Sequence, residues 1–103
     1  MITKFAPINF SKGKYLLLQV GEEKIVRCGT GDHSDIRMAA EIEIGERVKV
    51  LGGGRIEVCQ KPNFDQPAES VRLFGDSSYF GPEPDREVSK GIIREAFPGY
   101  EVY

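Results

Sequence analysis

The feature that most constrains the fold of this chain is a short apolar run at residues 15–20, YLLLQV, which ends at a Gly-Glu turn signal. Such a run is too short and too apolar for a surface helix, so it predicts a buried strand. Residues 23–27, which include Ile25 and Val26, follow directly after the turn. They are predicted to return antiparallel to the first strand as its hairpin partner.

Apolar residues recur every three or four positions in two segments, which predicts two helices. The first helix covers residues 35–44, with Asp32 or Ser34 as its N-cap and Gly45 as its end. The second follows a Gly-Pro-Glu-Pro-Asp stretch and ends near Phe97, before a Pro-Gly pair. The residues predicted to face the core are Ile36, Ala39, Ala40 and Ile44 in the first helix and Val88, Ile92, Ala96 and Phe97 in the second.

Alternating apolar and polar residues predict two half-exposed strands in the middle of the chain, one around Val48 and Val50 and the other around Ile56 and Val58. We expect residues 51–55, LGGGR, to form a tight connection between them, since glycine adopts backbone conformations closed to other residues. The remaining predicted elements are a surface loop at 61–68 and strands at 71–74 and 100–103.

This order of elements predicts one α+β domain over residues 1–103, with a mixed, mostly antiparallel sheet flanked by two helices. No apolar run approaches the ~20 residues needed to cross a bilayer. The first residues also lack the apolar segment of a signal peptide, so we expect a cytoplasmic protein with no membrane partner.

Charge and cysteine content exclude several other classes of function. The chain has 14 basic and 16 acidic residues and a net charge of −2, so no nucleic-acid partner is expected. Cys28 and Cys59 are expected to be free thiols that pack as small apolar residues. With a single histidine they make a poor zinc set. We therefore expect no metal and no cofactor, and a monomer.

The only histidine, His33, lies where a glycine-rich loop, GTGDHSD at 29–35, opens into the first predicted helix. Free backbone N–H groups, a positive helix end and an imidazole in one place could hold and attack a phosphoryl group. Before any family is considered, a surface or helix-capping role for this histidine is the more common one. A cysteine-dependent phosphatase does not fit, because Ser34 and Asp65 stand where its phosphate-binding arginine would be needed.

Six sequence blocks occur in one order along the chain: KYLLL at 14–18, IVR at 25–27, DHSDI at 32–36, LGGGRI at 51–56, FGDSSYFGP at 74–82 and FPGYEV at 97–102. Together they resemble the Janus/Ocnus family, which contains the small protein phosphohistidine phosphatases. The resemblance spans roughly residues 13–102. It implies a metal-independent phosphatase that releases phosphate from phosphohistidine in a protein or peptide.

The resemblance also implies roles for single residues. His33 matches the catalytic histidine, Lys14 matches a lysine beside the phosphate, and Arg55 matches the arginine that follows the glycines. The other implied phosphate-binding positions are Arg27 and, in two loops that supply backbone amides, Ser34, Ser77, Ser78 and Tyr79. Arg27 has a competing interpretation, favoured slightly, in which it only pairs with an acidic neighbour.

The residue types suit this chemistry. A neutral imidazole can take a proton from water as that water attacks phosphorus, while amides and cations hold the other phosphate oxygens. Attack by His33 itself, through a covalent intermediate, stays open. The alternative function is a non-catalytic module that binds phosphohistidine or another anion. A third possibility is a structural domain whose glycine loops serve only folding.

Overall fold

A five-stranded sheet with one helix on each face forms the framework of the protein. The computed structural model describes residues 2–61, 66, 68–77 and 80–103. The elements are β1 (Lys12–Val20), β2 (Glu23–Gly29), α1 (His33–Ile44), β3 (Lys49–Cys59), β4 (Ser70–Phe74), α2 (Arg86–Ala96) and β5 (Glu101–Val102). The strand order is β2-β1-β3-β4-β5, and every neighbouring pair is antiparallel except β4 and β5. The predicted α+β class with a mixed sheet and two helices is confirmed.

The buried strand predicted at residues 15–20 forms the centre of both cores. Successive side chains of a strand point to opposite faces of the sheet. Leu16 and Leu18 therefore pack in the cluster that contains Ile36 of α1, whereas Tyr15 and Leu17 pack in the cluster that contains Ile93 of α2. Because helices cover both faces, β1 carries an unbroken apolar run rather than an alternating pattern.

The glycine-rich segment lies inside a strand, which corrects the predicted turn. β3 continues through Gly52 and Gly54, and its register against β1 shifts between Leu17 and Leu18, which marks a β-bulge. Gly52 has a φ of 144°, and a Cβ there would lie 2.5 Å from the backbone N of Glu83. Glycine is required because another backbone segment approaches the strand closely, not because the chain turns.

The first helix begins earlier than predicted. α1 starts at His33, Asp32 is its N-cap, and Gly45 ends it with a left-handed φ of 83°. The Asp32 backbone N–H donates to Oδ2 of Asp35 at 3.1 Å, which fixes the first turn. Ala39 is exposed, contrary to prediction, since the face that packs on the sheet is centred on Ile36 and Ala40.

The second helix ends one residue before the predicted limit, at Ala96. Ser89 and Ile93 are its buried residues, the predicted Val88, Ile92 and Phe97 pack against the same core while half-buried, and Ala96 is exposed, contrary to prediction. Neither described helix is long and apolar enough to span a membrane. Both cysteines are free thiols, as expected. Most of the loop predicted at 61–68 lies outside the described residues.

A buried carboxylate joins β1 to the segment before α2. The Tyr15 hydroxyl donates to Oε1 of Glu83 at 2.6 Å, and the Ser89 hydroxyl donates to Oε2 at 2.8 Å. Arg86 Nε lies 3.8 Å from Oε1 of Glu83. Burial and the adjacent carboxylate raise the pKa of Tyr15 far above its ordinary value, so the hydroxyl stays protonated and donates.

A second polar link ties β2 to α1. Arg27 Nε and Nη2 donate to the two carboxylate oxygens of Glu43 at 2.9 and 2.8 Å. Its Nη1 and Nη2 also donate to the carbonyls of Val26 and Thr3 at 3.0 and 2.7 Å. Arg27 is only 5% exposed, so this bidentate pair fixes α1 and the N-terminal segment against the edge strand.

We expect Tyr15→Phe to destabilise the fold by about 1–3 kcal/mol, because the buried Glu83 carboxylate loses a hydrogen-bond donor that water cannot replace. Urea unfolding of both proteins at neutral pH measures the difference. Tyr100→Phe is the matched control, since the Tyr100 hydroxyl has no hydrogen-bond partner among the described residues. Equal losses in the two variants would contradict the role of the Tyr15 hydroxyl.

The Arg27 pair predicts a pH-dependent stability. Hydrogen bonding to Arg27 lowers the pKa of Glu43 below its ordinary value. The folded state therefore favours the ionised carboxylate, and the stabilisation is present above the unfolded pKa of ~4.3 and is lost as the pH falls through the lower folded value. Glu43 is half exposed, so we expect Glu43→Gln to cost only about 1 kcal/mol at pH 7.

That cost should shrink as the pH falls below ~4.3 and through the lower folded pKa of Glu43, because the wild-type carboxyl group then also becomes neutral. Urea unfolding at several pH values tests this expectation. Glu46→Gln, an exposed position after the same helix, is the control and should cost little at any pH. A cost for Glu43→Gln that is constant from neutral to acid pH would rule out the ionised pair as its source.

Candidate functional site

The imidazole of His33 is held between helix and sheet. His33 is the first residue of α1, is 5% exposed, and its Nε2 lies 2.9 Å from the carbonyl oxygen of Gly54 in β3. A carbonyl oxygen can only accept a hydrogen bond, so Nε2 carries the proton. In the neutral ring, Nδ1 is then the basic nitrogen.

Glycine in β3 allows this approach of α1 to the sheet. A Cβ at Gly53 would clash with the carbonyl oxygen of Tyr15 and would lie 3.4 Å from Cδ2 of His33. The backbone of Gly53 is also bonded on both sides, since its N–H donates to Gly81 and its carbonyl accepts from Ser77. A larger residue would therefore displace either the neighbouring strand or the ring.

The start of α1 offers backbone donors beside the imidazole. The N–H groups of Asp35 and Ile36 donate to the Asp32 carbonyl at 3.0 and 3.1 Å. For the N–H groups of His33 and Ser34, the described part of the chain provides no acceptor, as is usual for the first residues of a helix. Together with the positive end of the helix dipole, they favour an anion at this position.

Two cations reach the same place from the sheet. Lys14 of β1 and Arg55 of β3 are cross-strand neighbours, and both line a groove of about 330 Å³. Lys14 Nζ donates to Oδ1 of Asp32 at 3.4 Å, directly beside His33 in the chain. Arg55 follows Gly54, whose carbonyl binds the His33 ring. The structure thus links Lys14 and Arg55 to the start of α1 through Asp32 and Gly54, the chain neighbours of His33 and Arg55, while His33 and Ser34 are not among the residues that line the groove.

Arg27 does not belong to this group, which corrects the prediction that it binds phosphate. All three of its guanidinium nitrogens donate to Glu43 or to backbone carbonyls, and it is buried. The competing interpretation, an arginine paired with an acid, is the one that the contacts support. Sequence alone could not decide this, because Glu43 lies sixteen residues away and on another element.

Ser77 was predicted to donate its backbone amide to phosphate, but in the structure this amide has another partner. Ser77 is buried, and its N–H donates to the Gly53 carbonyl at 3.2 Å, so this amide is already bonded and does not serve as a phosphate donor. The Ser77 hydroxyl accepts from the N–H of Phe80 at 3.0 Å. Ser77 therefore fixes the loop against β3. Ser78 and Tyr79 lie outside the described residues.

Neither cysteine supplies a nucleophile for the site. Burial raises the pKa of Cys28 to about 12, so this thiol is not ionised at neutral pH. Cys59 is buried beside the carbonyl oxygens of Lys61 and Gln66, outside the groove residues. The sequence-based exclusion of a cysteine-dependent mechanism agrees with these environments.

Sequence reasoning missed two residues near the site. Asp32 was identified only as a possible helix cap, but its carboxylate also pairs with Lys14. Lys12 was not selected, although it lines the same groove. The sequence pattern indicates Lys12, because residues two apart on a strand lie on the same face and Lys14 is a predicted site residue.

Comparison with curated proteins finds no match to this chain. A sequence model of the Janus/Ocnus family (Ocnus) matches residues 3–101. The matched range includes β1 to β4, both helices and every residue of the site described above. The chain therefore belongs to the Janus/Ocnus family.

Proposed function

We propose that the protein is a phosphatase that hydrolyses phosphohistidine in proteins or peptides, with His33 as the general base. One observation carries the proposal: the hydrogen bond from His33 Nε2 to the Gly54 carbonyl leaves Nδ1 of the neutral ring as the proton acceptor. The bond also fixes the ring at the start of α1, where the first helix amides are free and Asp32 pairs with Lys14. A general base needs such a defined orientation.

The proposed step is in-line attack of water on phosphorus. The water oxygen forms a bond to phosphorus, and its proton passes to Nδ1 of His33. The phosphorus–nitrogen bond of the substrate breaks, and the departing imidazole nitrogen is protonated from solvent. The products are inorganic phosphate and an unmodified histidine, and His33 then returns its proton to solvent.

The developing charge on the phosphoryl oxygens is met by groups already in place. The amides of His33 and Ser34 donate to one side, and Lys14 and Arg55 supply positive charge on the other. Lysine acts as a point charge and arginine as a planar fork that can bind two oxygens. Phosphoryl transfer depends mainly on positioning and electrostatics, so these groups suffice for the proposed chemistry.

Family membership supports phosphohistidine as the substrate, since the family contains protein phosphohistidine phosphatases. The buried, protonated Cys28 and the bonded Arg27 support a mechanism that uses neither of them. Metal independence remains a prediction and is tested by adding EDTA to the assay. A module that binds phosphohistidine without turnover is the alternative, and the variants below separate it from the enzyme.

We expect His33→Ala and His33→Gln both to lower kcat/KM for phosphate release from a histidine-phosphorylated protein by roughly 10²- to 10⁴-fold, the usual contribution of a general base. Glutamine keeps an N–H that can donate to the Gly54 carbonyl but offers no basic nitrogen. It therefore separates basicity from the structural bond. Inorganic phosphate is measured with EDTA present.

The two substitutions give distinct outcomes for the competing functions. If His33→Gln releases phosphate as fast as the wild type, His33 is a structural residue and the general-base role is wrong. If the wild type binds the phosphorylated protein but releases no phosphate, the binding module is correct. Circular dichroism and urea unfolding establish that both variants are folded.

The Lys14–Asp32 pair predicts a second effect. Asp32 places a negative charge beside the proposed phosphate position and competes for Lys14. We expect Asp32→Asn to lower KM by about two- to five-fold with little change in kcat, since an exposed charge contributes up to ~1 kcal/mol and asparagine still caps the helix. Steady-state kinetics on the same phosphoprotein measures both constants.

Asp85→Asn is the control, because Asp85 is the N-cap of α2, accepts a hydrogen bond from the Glu87 amide and is not among the residues that line the groove. It should leave KM unchanged. An Asp32→Asn variant whose KM equals that of the wild type would show that phosphate does not bind next to Lys14.

A further inference from the structure

The groove that Lys14 and Arg55 line extends along β1 to Lys12 and across β3 to Glu57 and Phe74. Lys12 and Lys14 alternate on β1, and they pair in register with Glu57 and Arg55 of β3. Arg72 of β4 pairs in turn with Glu57. These neighbouring positions on one face of β1, β3 and β4 therefore hold four cations and one carboxylate, although acidic residues outnumber basic ones in the whole chain, 16 to 14.

The carboxylate on this face is already occupied. Glu57 accepts from Nη2 of Arg72 at 2.8 Å, and the Arg72 guanidinium lies 4.5 Å from the centre of the Phe74 ring. By contrast, neither Lys12 nor Arg55 forms an ion pair with any residue that the structure describes. The groove thus combines unpaired positive charge with the partly exposed ring of Phe74.

We propose that this groove binds the polypeptide on either side of the phosphohistidine, and that Lys12 selects substrates with a carboxylate side chain close to it in sequence. The inference rests on the proposed function, because the phosphoryl group between His33, Lys14 and Arg55 sets the position of the peptide. Lys12 is two residues from Lys14 along β1, a distance of about 7 Å. An extended peptide spans that distance with two residues, so a Glu or Asp two positions from the phosphohistidine reaches Lys12.

The selection acts through charge. Lys12 is exposed, so its pairing with a substrate carboxylate favours an acidic peptide by about two- to five-fold in kcat/KM. Lys12 repels a lysine at the same peptide position. The ratio of kcat/KM between acidic and basic peptides is therefore about the square of the ratio between acidic and neutral peptides. The preference weakens with added salt, since exposed charges are screened.

The test uses short peptides with one phosphohistidine and with Glu, Gln or Lys placed two residues to either side of it. Phosphate release is measured for the wild type, for Lys12→Glu and for Lys49→Glu. Lys49 is an exposed lysine at the opposite end of the same strand pair, where it faces Gln19, so it is a matched control. A small phosphoramidate without a peptide is assayed with the wild type in parallel.

The inference predicts the order Glu, Gln, Lys for the wild type and for Lys49→Glu, and the reverse order for Lys12→Glu. Equal kcat/KM values for the three peptides, with the small phosphoramidate hydrolysed, would overturn the inference and leave the proposed function intact. Release from no substrate would overturn the proposed function. If no substrate is hydrolysed, fluorescence anisotropy measures the affinities of peptides that carry a non-hydrolysable phosphonate analogue. The inference requires the same order in affinity and fails if the affinities are equal.

Discussion

The hydrogen bond between His33 and the Gly54 carbonyl is the contact on which the candidate site depends. It joins the first turn of α1 to β3, selects the ring nitrogen that carries the proton, and sets the free helix amides beside the sheet. Lys14 and Arg55 lie side by side on the adjoining strands because antiparallel pairing makes them neighbours. The site is therefore a consequence of where one helix meets one strand, and each of its groups comes from a rigid element or its first turn.

The three glycines of β3 let the strand receive neighbours on both faces. On one face the missing side chain of Gly53 leaves room for the His33 ring, and on the other the missing side chain of Gly52 leaves room for the backbone of Glu83. The buried Glu83 carboxylate binds Tyr15, which follows Lys14 in β1. Packing on the α2 face thus fixes β1, which carries Lys14 on the α1 face. The core beneath α2 therefore supports the site without contacting it.

The sequence pattern predicted those features of the fold that depend on residues close together in the chain. The apolar run of β1 and the αL glycine at Gly45 depend on neighbouring residues and were predicted from them, and Asp32 was one of two candidate helix caps. The glycine segment was wrongly predicted as a turn, because the backbone that packs on it comes from Glu83, thirty residues away. The position of His33 at a loop–helix junction made it a candidate, whereas Lys14 and Arg55 were implied only by the family resemblance. Pairing of Arg27 with an acid was the slightly favoured interpretation, but its partner Glu43 and the bond from Ser77 to Gly53 were not predicted, because tertiary contacts set both.

The pairing of Lys14 with Asp32 bears on how a site of this kind distinguishes phosphate from carboxylate groups. Asp32 is 80% exposed at the side chain and holds Lys14 at 3.4 Å, so the pair is weak and can open. A ligand carboxylate with one negative charge gains little by replacing another carboxylate. A phosphoryl group carries up to two charges and three acceptor oxygens, so on the proposed function it engages Lys14, Arg55 and the helix amides together. On the proposed function, Asp32 competes for Lys14 with every anion, and an anion that uses all of these donors at once is the one that outweighs this competition.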